Sequence, residues 1–450
     1  MSKLRLAVVG AGPAGIYASD LILKAERNFD VSIDLFDLLP APYGLVRYGV
    51  APDHPRIKGI IKALYEVLDR GDIRFFGNVN YGTDIKLEDL KKHYNAVIFA
   101  TGAIKDADLN IPGIELDGSY GAADFVNWYD AHPDFPRTWP LNAKQVAVIG
   151  NGNVALDVAR MLIKLPEDLL STDIPDHVYQ GLKSSPITDV HVFGRRGPAQ
   201  VKFSPLELRE ALHVNGVQAI VYPEDFQFDN GSQKALDSNN QIRVMVKTLQ
   251  DLKDNPQEEQ TRRLHLHFFH SPLEVVGADG KVSGIKFEKT KLDGTGNVVG
   301  TGEIVEYPVQ AVYRAVGYFG SELDQIPFDA KSGVVSNDEG RVLDSAGKHI
   351  PGVYCTGWIK RGPVGLIGHT KADAIETIGH LMQDQASWWS PELPAEAAIV
   401  ETLVNRGVNF VDWSHWLKVD AEERRLGQTD GRERIKLFDR DEILKVSKGN

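Results

Sequence analysis

Two short stretches of the chain have the residue types and spacing to hold phosphate. The first is Gly10-Ala11-Gly12-Pro13-Ala14-Gly15, and the second is Gly150-Asn151-Gly152-Asn153-Val154-Ala155. In such loops the first glycine permits a sharp turn. The second lets backbone N–H groups approach a pyrophosphate, and the third position lets a helix pack closely on the strand before it. Each pattern is weak by itself, because glycine turns are common. The residues that follow separate the two. Asp37 lies 22 positions past Gly15, where an acid accepts a hydrogen bond from a ribose hydroxyl and its charge repels a 2′-phosphate. The corresponding place in the second half carries Arg195-Arg196, whose guanidinium forks bind phosphate bidentately. The first site suits FAD or NAD and the second suits NADP(H). Together they describe a hydride relay between a nicotinamide and a flavin. The bland alternatives are a glycine turn that binds nothing and a solvated arginine pair.

The flanking elements are those a dinucleotide loop requires. Leu4–Val9 is an apolar run feeding the first loop, Ile16–Lys24 has helical character, and Val31–Phe36 is a second apolar strand ending at Asp37. The unit repeats 140 residues on, with a strand over 145–149, a helix over 156–165 and a strand over 189–193. Four prolines within residues 40–55 make a rigid connection that is better suited to lining a site than to linking domains. Helices are expected over 56–69, 122–131, from 204 to about 213, 371–382 and 421–426. Strands are expected over 73–81, 95–101, 264–276, 284–291, 309–315 and 352–358. Residues 229–240 and 252–260 are polar and read as surface loops, and an extra helical turn is expected within 166–186.

The totals limit the function classes. A chain of 450 residues implies at least two domains. With a net charge of −12, nucleic acid is not an expected partner. The single cysteine, Cys355, cannot form an internal disulfide, a cysteine-ligated cluster or a CxxC redox pair. Its apolar strand marks it as an inert thiol. No apolar run approaches the roughly 18 residues of a membrane span. No metal is expected, and the expected location is cytoplasmic.

Four stretches carry a resemblance: 42–55 (Pro-Tyr-Gly-Leu-Val-Arg-Tyr-Gly-Val-Ala-Pro-Asp-His-Pro), 150–160, 194–198 (Gly-Arg-Arg-Gly-Pro) and 357–363 (Gly-Trp-Ile-Lys-Arg-Gly-Pro). They resemble the adrenodoxin reductase type of ferredoxin–NADP reductase, bacterial members above all, over essentially the whole chain. The resemblance implies an α/β protein with two Rossmann-like dinucleotide-binding domains. The NADP(H) domain, 107–320, would be inserted into a discontinuous FAD domain formed by 1–106 and 321–450. It implies an NADPH-dependent reductase that passes a hydride to FAD and then single electrons to a ferredoxin-type iron–sulfur protein. Gly15, Asp37, Leu45 and the backbone near Tyr81 match positions at the FAD adenosine and pyrophosphate. Trp358 and Gly365-Leu366-Ile367 match those at the flavin ring, and Gly365 also meets the nicotinamide. Asn151, Gly152, Asn153, Val154, Arg195, Arg196 and Glu207 match NADP positions. His54 and Glu210 match a pair near the nicotinamide. There they would tune proton supply, since hydride transfer itself needs positioning and not a general base.

Several residues also admit structural roles. Ser204-Pro205-Leu206-Glu207 reads as a capping box, Glu210 as a solvated helix charge, His54 as a surface loop residue and Trp358 as core. Ala107 stands where a basic residue is expected, with Lys105 as a substitute, and Val364 and His369 also depart from the pattern. Arg56, Lys58, Lys62, Lys360 and Arg361 are candidates for an acidic partner's docking patch. The rival readings are a diaphorase or flavin subunit serving a different acceptor, including one resembling the glutamate synthase small chain, and a non-catalytic NADP-binding sensor. The glutamate synthase type carries an N-terminal cysteine-rich domain, a pattern with no counterpart in a chain holding one cysteine.

Overall fold

The computed structural model describes residues 3–364 and 367–449, with the side chains of Ile367 and Gly368 excepted. They divide into two compact units. The first comprises residues up to 105, 130–134 and from 318 onward; the second comprises 106–129 and 135–317. The return of 130–134 to the first unit was not expected. Its cause is local. The helix Ala122–Tyr129 stops where Ala131 takes φ +60°, and the buried Asp130 carboxylate pairs with Lys58 (3.1 Å) and Lys436 (2.9 Å).

The first unit is built on a seven-stranded sheet. Its order is Asn337–Asp338, Arg341–Leu343, His349–Cys355, Ala96–Phe99, Lys3–Val9, Asp30–Phe36, Ile73–Phe76. The last five strands of that order are parallel, and the strand at 3–9 is central. Leu4, Leu6, Ala7 and Val8 are fully buried because both sheet faces are covered, which is why this strand reads as a continuous apolar run. One apolar core lies around Leu6, Val8, Ile16 and Trp416, the other around Ala7, Val9, Phe99 and Val353. The strand expected over 73–81 ends at Phe76. Gly77 instead donates its N–H to the Val411 carbonyl (2.8 Å), and Asn78 turns with φ +59°. The helix expected over 56–69 is interrupted into Pro55–Lys58 and Ile61–Asp69. That expected over 421–426 is the middle of Trp413–Thr429, started by the Asp412 carboxylate.

The second unit holds six parallel strands in the order Ser119–Gly121, Ala311–Arg314, Gln145–Ile149, Asp189–Phe193, Arg262–His267, Val217–Val221. A three-stranded antiparallel sheet, His270–Ala278, Lys281–Leu292 and Val298–Tyr307, adjoins it. Phe269, at φ +58°, divides the expected strand 264–276. Of the polar stretches expected as loops, 252–260 is irregular beyond Asp254, whereas 229–240 is largely helical, Asn230–Ser238 running into Asn240–Asp254. Asp229 and Asn239 cap them, and the second helix buries Met245, Val246, Leu249 and Leu252, an apolar stripe hidden in polar composition.

Candidate functional site: two glycine loops of opposite polarity

The first loop is a strand-to-helix turn under tight steric constraint. Gly10 has φ +112°, and a Cβ there would lie 2.3 Å from the Ala100 carbonyl oxygen. A Cβ on Gly15 would lie 2.0 Å from the Gly10 carbonyl oxygen. Gly12 differs: a Cβ would meet only Gly44 Cα, at 3.8 Å. Gly12 is also the N-cap of the helix Pro13–Lys24, and no side chain caps that helix. Open space over N–H donors at a helix start is the geometry a pyrophosphate needs.

Asp37 serves the loop as well as any ligand. Its carboxylate accepts from the N–H of Ala11 (2.6 Å) and of Leu39 (2.8 Å). Burial pushes its pKa up to about 6, against those two hydrogen bonds, which lower it. The expected ribose contact must use the remaining lone pairs of this group. Two residues that sequence reasoning passed over join it. Thr101 and Thr356 follow neighbouring strands at the carboxyl edge of the sheet, and their buried hydroxyls have no hydrogen-bond partner among the described residues. A ligand's polar atoms would satisfy them there. Their sequence signal was a threonine before glycine at each strand end.

Leu45 is half-buried at the start of the turn Leu45–Tyr48. The Tyr81 ring packs edge-on to Phe99 at 4.9 Å, and its hydroxyl donates to the Asp324 carbonyl. Trp358 is half-exposed and is absent from the two apolar cores described above. Gly365 and Leu366 lie outside the described residues; Ile367 begins the helix Ile367–Gln383.

The second loop repeats the turn with a different rim. Gly150 has φ +139°, and a Cβ there would lie 2.2 Å from the Ala315 carbonyl oxygen, whereas a Cβ on Gly152 meets nothing within 4 Å. Gly152 caps the helix Asn153–Ile163, again without a side-chain cap. The Asn151 carbonyl accepts from Lys202 N–H (3.0 Å), and Asn153 Oδ1 accepts from Ser204 N–H (2.8 Å). Val154 is half-buried in the first turn. Arg195 is exposed and Arg196 half-buried at the end of the strand Asp189–Phe193. Among the described residues neither guanidinium has an ion pair, so both remain available to an anion, while their carbonyls are held by Thr290 Oγ1 and Phe269 N–H.

Glu207 resolves differently from either expectation alone. Ser204 Oγ accepts from Glu207 N–H (3.2 Å), so the cap exists. The reciprocal half does not, because Ser204 N–H is taken by Asn153 and the Glu207 carboxylate lies 3.5 Å from Arg160, itself paired with Asp157.

His54 is buried in the first unit, its N–H donated to the Ala51 carbonyl and its own carbonyl accepting from Ile57 and Lys58. The surface-residue reading of His54 is therefore wrong. Glu210 is half-buried on the helix Pro205–Leu212 of the second unit, so the expected pair is carried by two separate bodies. The basic patch needs correction. Lys360 is buried and paired with Glu376, Arg361 is paired with Asp373, and Lys58 with Asp130; of these five candidates Arg56 and Lys62 are the ones left exposed, with no ion pair among the described residues. Lys105 and His369 are exposed, and Val364 is 67% exposed.

Residues 4–190 match the pyridine nucleotide-disulphide oxidoreductase family. The NADPH-ferredoxin reductase FprA of Mycobacterium tuberculosis is 40% identical over 464 aligned positions, covering all of both chains. The human mitochondrial NADPH:adrenodoxin oxidoreductase is 38% identical over 98% of this chain and 91% of its own. The solved structure of M. tuberculosis FprA in complex with NADPH superposes with a TM-score of 0.91 at 39% identity, over 99% of this chain and 100% of that one. The chain belongs to the adrenodoxin reductase family of ferredoxin–NADP reductases. This reductase is thus an FAD-dependent oxidoreductase with two Rossmann-like domains, and its two loops fit FAD and NADP(H) on the chemistry of their own residues. No helix among the described residues is long and apolar enough to cross a membrane.

Proposed function

We propose that this reductase carries electrons from NADPH to a small ferredoxin-type iron–sulfur protein in the cytoplasm. The observation that supports this reading is the opposite polarity of two otherwise equivalent loops: Asp37 beside the first, unpaired Arg195 and Arg196 beside the second. When bound, FAD accepts a hydride from NADPH and releases electrons one at a time. The protein's own contribution is positioning. The Gly12 and Gly152 N-termini hold the two pyrophosphates, Asp37 the adenosine ribose of FAD, and Arg195 and Arg196 the 2′-phosphate of NADPH. Leu45, the backbone near Tyr81, Trp358 and the segment 365–367 complete the FAD positions, while Asn151, Asn153, Val154 and Glu207 complete those of NADP(H).

His54 and Glu210 act from their separate units on proton supply. On this reading His54→Ala shifts the pH profile of flavin reduction and slows it modestly. A rate loss as large as that from removing a nucleotide loop would contradict the assignment. Exposed Arg56 and Lys62 are candidates for contact with the acidic acceptor. The direct test is NADPH-driven cytochrome c reduction with and without added ferredoxins. Enhancement by a ferredoxin is expected; absence of enhancement by any of them would leave a diaphorase.

A further inference from the structure

The loop that faces the first glycine turn is held from behind by the other end of the chain. Tyr43 N–H donates to the Ala11 carbonyl (2.8 Å), and a Cβ on Gly44 would lie 3.0 Å from Gly12 Cα, so loop 38–55 touches the cradle directly. This loop is strained: Tyr43 holds φ +83°, a region an L side chain enters only when its surroundings force it.

The forcing contacts come from residues 416–437. Arg47, buried in the turn Leu45–Tyr48, donates both terminal nitrogens to the fully buried Glu423 carboxylate, one at 3.0 Å. Its guanidinium stacks 5.0 Å from the Tyr48 and Trp416 rings, and Tyr43 meets Trp416 edge-on. Glu423 also accepts from Leu437 N–H (3.0 Å) and Arg434 (3.2 Å). Lys436 Nζ donates to the Arg47 carbonyl (2.9 Å) and to Asp130. Arg47 is therefore gripped at its side chain and at its backbone by residues 376 and 389 positions away. Buried pairs of this kind add little net stability, but they specify one geometry.

We infer that Glu423, seconded by Lys436, is a positioning residue for the flavin: it fixes Arg47, and through Arg47 the strained Tyr43-Gly44-Leu45 backbone against the Gly12 cradle. The C-terminal helical segment is then part of the FAD site although it contributes no ligand. This inference rests on the FAD assignment above.

The test measures spontaneous FAD release from the purified holoenzyme after dilution, followed by flavin fluorescence, in Glu423→Gln and Lys436→Met. NADP⁺ affinity of the same proteins is the control. Losing a charge-assisted hydrogen bond behind the loop is expected to speed release by about tenfold or more in Glu423→Gln, and by less in Lys436→Met. NADP⁺ affinity should stay at the wild-type value. Should Glu423→Gln fail to fold, Lys436→Met carries the comparison. A purely structural role would lower the urea midpoint of the flavin-free protein yet leave release from the folded holoenzyme at the wild-type rate. That result in the variants that fold overturns the inference. A wild-type protein that holds no FAD would instead overturn the cofactor assignment.

Discussion

The two glycine loops share a backbone turn and differ in what braces them. The first is closed from both sides. A carboxylate bonded to Ala11 and Leu39 lies on one flank, and a strained loop pinned by a buried charge network lies on the other. Among the described residues, the second is tied to its surroundings by Gly150 N–H on the Phe193 carbonyl, by Lys202 N–H and by the Asn153 side chain, with two arginines left without an ion pair at its rim. The difference suits one nucleotide that stays and one that exchanges. Tight bracing lowers the entropy lost on binding and slows release, whereas an open rim of guanidiniums favours capture of an anion and its departure.

Glycine substitutions break the comparison most severely. Gly10→Val or Gly15→Val drives a side chain into a backbone carbonyl, and each should cost about 3 kcal/mol or more, seen as a collapsed urea midpoint and loss of flavin. Gly150→Val should do the same to the second unit. Gly152→Ala is the contrasting case. The methyl has open space, so stability should stay within about 0.5 kcal/mol while NADP⁺ affinity falls, read by calorimetry. A destabilised Gly152→Ala would show that the cradle is not open.

An acid response should come next in size. His191, His265 and His267 form a nearly parallel stack in the second unit, with interplanar angles of 12–23°. Within it His191 Nδ1 and His267 Nε2 lie 3.0 Å apart, so at least one of these nitrogens carries a proton that the other accepts. Burial lowers His191 to about 3 and the neighbouring His270 to about 4. Their unfolded pKa is near 6.5, so the folded state binds fewer protons. Their stabilising contribution is complete above about pH 6.5 and is lost as pH falls toward those values, by up to about 1.4 kcal/mol per pH unit for each histidine. Urea midpoints between neutral pH and pH 4 should fall, and His191→Asn should flatten the slope. Asp37→Asn keeps one acceptor oxygen and loses the other, so it should weaken FAD by about tenfold, a hydrogen bond's worth. Ser204→Ala removes only a helix cap and should cost about 1 kcal/mol in thermal unfolding, with little change in NADP⁺ affinity.

The sequence was legible where a local rule and a tertiary requirement coincide. Gly10, Gly15 and Gly150 announce a turn that only glycine can make, and Asp37 and Arg195 follow their strands. It was illegible where the deciding partner lies far along the chain. Lys58, Lys360 and Arg361 looked like surface charge, yet Asp130, Glu376 and Asp373 neutralise them. The helix 240–254 was masked by its composition, because four buried residues suffice to seat it. Thr101 and Thr356 carried no charge, and a threonine before glycine at a strand end is a common pattern; their orphaned buried hydroxyls single them out.

The most direct test of the account is the double substitution Arg195→Ala with Arg196→Ala, assayed for bound FAD and for anaerobic bleaching of the flavin by NADPH and by NADH. Full FAD content is predicted, with an NADPH KM raised by roughly 100-fold, two charge-assisted hydrogen bonds' worth, and the NADH value little changed. Equal effects on the two nucleotides, or loss of FAD, would contradict the assignment of the two loops.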